Sequence, residues 1–202
     1  MNWFKNLRIG IKLPIGFAVL VAMMGVLGYT GYSSINSVSQ ELDNVLKTRL
    51  PITNLVISAD RDLQQALVAE RSMVFSDAKS DQFKQLVKDY EDNVTQVKER
   101  WDKAATLFTS AEAKAANQKF QADWAVWSKL SRRVVDARME DTRAGYREAL
   151  DLTLGPAAEA FETMRANMDA VQEANEKVIA DINERVAAVQ SSVVKTIVAM
   201  VM

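Results

Sequence analysis

Arg61, Arg71, Arg132, Arg138, Tyr146 and Thr153 are the residues of this chain best equipped for recognition chemistry. A guanidinium presents a planar fork of donors that can grip a carboxylate bidentately. The tyrosine and threonine hydroxyls can complete the recognition of an organic anion. The chemistry these residues offer is binding. The chain has no cysteine and no histidine. That removes thiol nucleophiles, Cys/His zinc sites and imidazole acid–base work. Acidic pairs such as Glu91-Asp92 and Glu140-Asp141 are neighbours in sequence and point to different helix faces, so they form no acid/base pair. There is no metal or cofactor motif, and no basic block of the kind a nucleic-acid partner needs. The expected ligand is a small anion, and an enzyme is not expected.

Arg138 is the sharpest of the six. Phe120, Trp124, Trp127, Ser131, Val134 and Arg138 step 4-3-4-3-4, which puts a charge on a packing seam where it is costly unless paired. The alternatives to a ligand are an intramolecular salt bridge, or a side chain that snorkels out at a helix end. Arg71 is expected at the same end, with Arg143 and Tyr146, and Thr153 lies a turn or two below. Arg61 and Arg132 sit lower, roughly 15 Å from Arg71 and roughly 9 Å from Arg138 at 1.5 Å per residue. Taken singly, each also fits a solvated face. Trp101, Trp124 and Trp127 fit an aromatic cage or, on their seams, core packing. Asn175 on a seam can set register.

The elements that must hold these residues are helical. Five of the seven glycines lie in residues 1–31, and residues 32–144 contain no glycine and one proline, Pro51. Phe83, Val87, Tyr90, Val94, Val97, Trp101, Ala104 and Phe108 repeat at a mean spacing of 3.5, as do Phe161, Met164, Met168, Val171, Asn175, Val178 and Ile182. Such seams mark near-parallel helices packed knobs-into-holes. The breaks predict four helices. The first runs from about 33 to Ser76, with a kink at Pro51. The second covers about 81–107. The third starts at a capping box in Thr109-Ser110-Ala111-Glu112 and ends at a left-handed Gly145. The fourth starts near Tyr146 and is disturbed at Gly155-Pro156. Short connections predict an all-α, antiparallel up-down-up-down four-helix bundle.

Leu13 to Tyr32 is a 20-residue stretch without charge, long enough to span a bilayer. Lys5, Arg8 and Lys12 precede it and no acidic residue lies in residues 1–32. The positive-inside rule therefore puts the N-terminus in the cytoplasm. The rest of the chain carries 22 basic against 26 acidic residues within an overall charge of −1. Uncharged residues return at Thr196 to Met202. The expected organisation is a cytoplasmic N-terminus over 1–12, a transmembrane helix over 13–32, a bundle over 33–192 outside the cytoplasmic membrane, and the truncated start of a second transmembrane helix over 193–202.

Asn6 to Leu13, followed by Gly16-Phe17 and the apolar run, resembles the start of bacterial methyl-accepting chemotaxis proteins. Asp60-Arg61-Asp62-Leu63 and Ala69-Glu70-Arg71 are similar to the end of the first helix of their sensor domain. Gly145 to Leu150 and the long helix containing Asn175 resemble its fourth. The resemblance implies a homodimeric periplasmic sensor in the inner membrane, dimerising through helix one, with helix four relaying the signal. It implies kinase partners reached only through a cytoplasmic region that this chain does not contain. A histidine kinase, a nucleotide cyclase or a ligand-free docking bundle fits the same layout. The amino-acid pocket of the best-known members does not transfer, because Leu67 stands near one family arginine position and Ala157 follows Pro156 where a threonine is expected.

Overall fold

The computed structural model describes residues 8–201. Its elements are α1 (Ile9–Asn44), a π-turn (Val45–Arg49), α2 (Leu50–Phe75), α3 (Asp81–Ala105), α4 (Ala111–Met139), α5 (Arg143–Leu154) and α6 (Pro156–Val201). The described residues divide into two compact units, Leu46–Ile179 and the described residues on either side of it.

The larger unit is the four-helix bundle, and its side-chain pairings fix the topology. Along α2, Arg49, Asp60 and Glu70 meet Asn175, Arg165 and Thr153 in reverse order, so α2 and the fourth helix, built from α5 and α6, run antiparallel. Arg49 and Glu70 meet Thr109 and Ser131 of the α4 region in the same order, so these two run parallel. Tyr90 meets Ser131 and Trp101 meets Asn117, which makes α3 antiparallel to α4.

Each turn has a local cause. Ser80 accepts the Phe83 N–H at 3.1 Å and starts α3, and Ser110 accepts the Ala113 N–H at 3.1 Å and starts α4. The cap of α4 is thus Ser110, one residue later than a capping box at Thr109 would place it. Thr142 accepts the Gly145 N–H at 2.9 Å and starts α5 at Arg143, earlier than Tyr146.

Gly145 itself corrects the sequence reading. It is not left-handed; Asp141, at φ 50°, is. Asp tolerates that region because its short polar side chain bonds locally. Gly145 is required for a different reason: a Cβ there would lie 2.2 Å from the Ala137 carbonyl oxygen. Pro51 comes just after the π-turn, so the irregularity expected there is an extra residue in the helix rather than a simple kink.

The core has two chemistries. One end is aromatic: Trp101 stacks on Phe120 at 3.8 Å, and Trp124, Trp127 and Phe161 continue the chain of rings. Trp101 and Trp127 are fully buried, so these tryptophans are core. Two smaller clusters are rich in alanine: Ala66 and Ala69 pack with Met73, Phe83 and Tyr90, and Ala137, Ala149 and Ala157 with Val74 and Val134.

In the smaller unit, α1 is long and apolar enough to cross a membrane. Phe17, Leu20 and Met24 on it are exposed. Arg185 of α6 grips Glu41 of α1 bidentately, at 2.7 and 3.1 Å.

Replacing Gly145 by Ala should drive its methyl into the Ala137 carbonyl. The expected loss is about 1–3 kcal/mol of stability in urea unfolding. An unchanged midpoint would show that α5 can move away from α4 without cost.

Candidate functional site

The structure separates the six arginine-centred candidates into groups. Arg138 is buried, and its guanidinium turns inward. Nε donates to the Met73 carbonyl at 3.1 Å and Nη2 to the Ser76 carbonyl at 2.8 Å. The charge also lies over the rings of Tyr146, at 5.4 Å, and Phe83, at 5.8 Å. The last carbonyls of a helix lack intrahelical donors, and a cation there complements the helix dipole. Arg138 therefore closes the C-terminus of α2. The seam position identified in the sequence is correct, and the partner is backbone. Tyr146 belongs with Arg138 through the ring contact.

Arg132 is committed to two surface carboxylates, Glu91 at 2.8 Å and Asp136 at 2.9 Å. Arg61 reaches Asp62 at 2.8 Å and Arg71 is exposed. Thr153 is buried and bonds Glu70. Among the described residues, the contacts of the six fall into separate groups.

Thr153 belongs instead to a polar cluster around Glu70, which is 0 % exposed. Thr153 Oγ1 donates to Glu70 Oε1 at 2.6 Å. Ser131 Oγ bonds Oε2, and Tyr90 OH lies 2.9 Å from Ser131 Oγ. Four helices thus meet at one carboxyl group: α2 supplies it, and α3, α4 and α5 supply hydroxyls. Burial pushes the Glu70 carboxyl above the usual range, while the bonds from Ser131 and Thr153 and the charge of Arg71 pull it partly back. Burial also pushes the Tyr90 phenol up to about 12.

Sequence reasoning overlooked Glu70, although a signal was present. Ile52, Val56, Ala59, Leu63, Ala66, Glu70 and Met73 step 4-3-4-3-4-3, so Glu70 occupies the buried seam of α2. Arg49 is on the same seam, three residues before Ile52. Its Nη2 donates to Thr109 at 2.8 Å, and its carbonyl accepts from Asn175 Nδ2 at 3.1 Å. Asn175 thereby ties the fourth helix to the π-turn region, a register role with a backbone partner. Asp62 is a third buried charge overlooked in the sequence, held by Arg61 at 2.8 Å and Arg100 at 2.9 Å.

The outer face of α2 carries a second seam. Leu50, Asn54, Ile57, Arg61, Gln64, Val68, Arg71 and Phe75 step 4-3-4-3-4-3-4. Its apolar members face solvent, with Val68 63 % and Phe75 80 % exposed. Beside it lies a groove of about 620 Å³ between α2 and α3. Arg61, Gln64, Gln65, Asp89 and Asn93 line its polar side, and Val68, Ala69 and Leu86 its apolar side.

A family model described as a four helix bundle sensory module for signal transduction matches residues 6–189 of the chain. No curated protein matches it.

Replacing Arg138 by Met keeps much of the side-chain volume and removes both carbonyl bonds. The expected cost is about 2–4 kcal/mol in chemical denaturation. A cost below about 0.5 kcal/mol would mean that water caps α2 equally well.

Proposed function

Because the chain belongs to the family of four-helix-bundle sensory modules of signal transduction, we propose that it is the ligand-sensing portion of a bacterial chemoreceptor of the inner membrane. On this reading residues 33–192 lie in the periplasm and α1 crosses the membrane over residues 13–32. The chain works as a homodimer paired through α2, and it binds a small organic anion.

The observation that carries this reading is the outward seam of α2. A helix whose inward seam already builds a core has no packing need for a second apolar repeat at the same spacing. Exposed Ile57, Val68 and Phe75 on that repeat suit a parallel partner helix. Arg61 and Arg71 share the repeat. Pairing two copies would bring together arginines that stay apart in a single chain. The adjoining groove, with Gln64, Gln65 and Asn93 on its wall, offers amide groups for orientation and an apolar floor.

The six candidates divide accordingly. Arg61 and Arg71 are the proposed anion contacts. Arg138, Tyr146, Arg132 and Thr153 act through the shape of the bundle. A ligand that spans two copies of α2 changes how these helices pair. Asp60–Arg165, Glu70–Thr153 and Arg49–Asn175 couple each α2 to its own fourth helix. The fourth helix is the proposed output.

The test is calorimetric titration of the 202-residue chain in detergent micelles against a panel of carboxylates and amino acids. At least one anion is expected to bind. Arg61→Ala and Arg71→Ala should each weaken that binding about 10- to 100-fold, the size expected for losing one charge-assisted contact. A cysteine placed at Val68 should cross-link two copies. Binding undiminished in both arginine variants would overturn the site, and a monomer at all concentrations would overturn the pairing.

A further inference from the structure

Among the described residues, two carboxyl side chains are fully buried, and they are treated differently. Asp62 has two guanidinium partners. The direct partners of Glu70 are hydroxyl groups. The charged and titratable groups around it are few. On α2, Arg71 is the next residue and points to solvent. On α3, Tyr90 is reached through Ser131. On α4, Arg132 and Asp136 act on the Tyr90 end with opposite signs. On α5, Thr153 is neutral. A buried carboxylate without a close counter-ion is held only by the donors aimed at it.

We propose that Glu70 is a proton-binding site, and that the module senses pH by the proton it takes up there. Two hydrogen-bond arrangements fit the same heavy atoms. When Glu70 is ionised, Thr153 donates to Oε1, Ser131 donates to Oε2, and Tyr90 donates to Ser131. When a proton from solution binds the carboxylate, the acid must itself donate. One hydroxyl then becomes its acceptor and turns its own hydrogen away. The branch through Ser131 can reverse, because either Tyr90 or Ser131 can be the donor in their contact. The proton therefore decides which groups donate and which accept in the bonds that tie α3, α4 and α5 to α2.

The position of Thr153 gives that change an outlet. It lies two residues before Gly155, where α5 ends and α6 begins. A change in the polarity or strength of the Thr153–Glu70 bond acts at the break in the fourth helix. Tyr90 keeps its proton throughout the physiological range, with its phenol pushed up to about 12. Glu70 is thus the group of this cluster that changes charge. This proposal goes beyond anion binding and stands whether or not the α2 groove takes a ligand.

The sign of the effect follows from linkage. A carboxyl raised by folding holds its proton more tightly in the native state than in the unfolded chain. Its contribution is fully present below the ordinary carboxyl range and is lost as pH rises through the raised value. The neutral isostere Glu70→Gln should remove this loss.

The experiment uses the 202-residue chain in micelles, in buffer free of organic anions. Thermal melts of the wild type and Glu70→Gln are compared from about pH 4 to about pH 8.5. The variant should gain on the wild type as pH rises, by roughly 3–5 °C for each pH unit by which the Glu70 titration is displaced, and then level off. Carbon NMR of labelled glutamate should show one carboxyl titrating above the ordinary ~4.3, absent from the variant. Thr153→Val, which removes one donor to the ionised form, should raise that midpoint further. Amide exchange over residues 150–156 should step with pH in the wild type and not in Glu70→Gln. A melting difference independent of pH, no displaced carboxyl signal, or a midpoint unmoved by Thr153→Val would overturn the proposal.

Discussion

A carboxyl group can be held at zero exposure without a direct ion-pair partner only if other elements bring donors to it, and that requirement organises this bundle. Glu70 lies where α2, α3, α4 and α5 come together, and each of the other three helices contributes a hydroxyl to its network. The hydroxyls must arrive at one level, so the cluster fixes the relative register of four helices. Apolar seams alone pin register weakly, since a slip of one heptad exchanges one set of aliphatic contacts for another. The aromatic layer from Trp101 to Phe161 supplies large buried apolar side chains. The Glu70 layer supplies the specificity.

Much of this was legible in the sequence. Spacing alone reveals the seams of α3, α4 and α6, and Thr109-Ser110-Ala111-Glu112 marks one turn. The buried charges are harder to see. Glu70 and Arg49 sit on the seam of α2 among alanines and aliphatics, and they interrupt the pattern that would have revealed it. Arg138 was visible as a seam residue, but its partners are the Met73 and Ser76 carbonyls, and a sequence does not show where a helix end points its carbonyls. Gly145 was visible as a glycine near a helix end. The oxygen that excludes its side chain comes from Ala137, eight positions earlier, and only the crossing of α4 and α5 brings it there. The π-turn left no mark beyond Pro51.

α2 carries two repeats on one helix. The inward repeat builds the bundle, and the apolar members of the outward repeat, which also carries Arg61 and Arg71, face solvent in a single chain. Family membership makes the chain a sensory module. The division of α2 into an inner and an outer face suggests how such a module works. The inner face is tied to the fourth helix by Asp60–Arg165, Glu70–Thr153 and Arg49–Asn175. Two of these links depend on an oxygen that is buried, where a hydrogen bond made or broken is worth more than at the surface.

The central claim is that Glu70 and Thr153 act as one unit joining α2 to the fourth helix. A double-mutant cycle in urea unfolding, with Glu70→Met, which removes both acceptor oxygens, Thr153→Val and the pair, measures this directly. The account expects a coupling of about 1–3 kcal/mol between the two positions. Additivity within about 0.3 kcal/mol would contradict it, because two residues whose losses simply add share no interaction through which the helices could communicate.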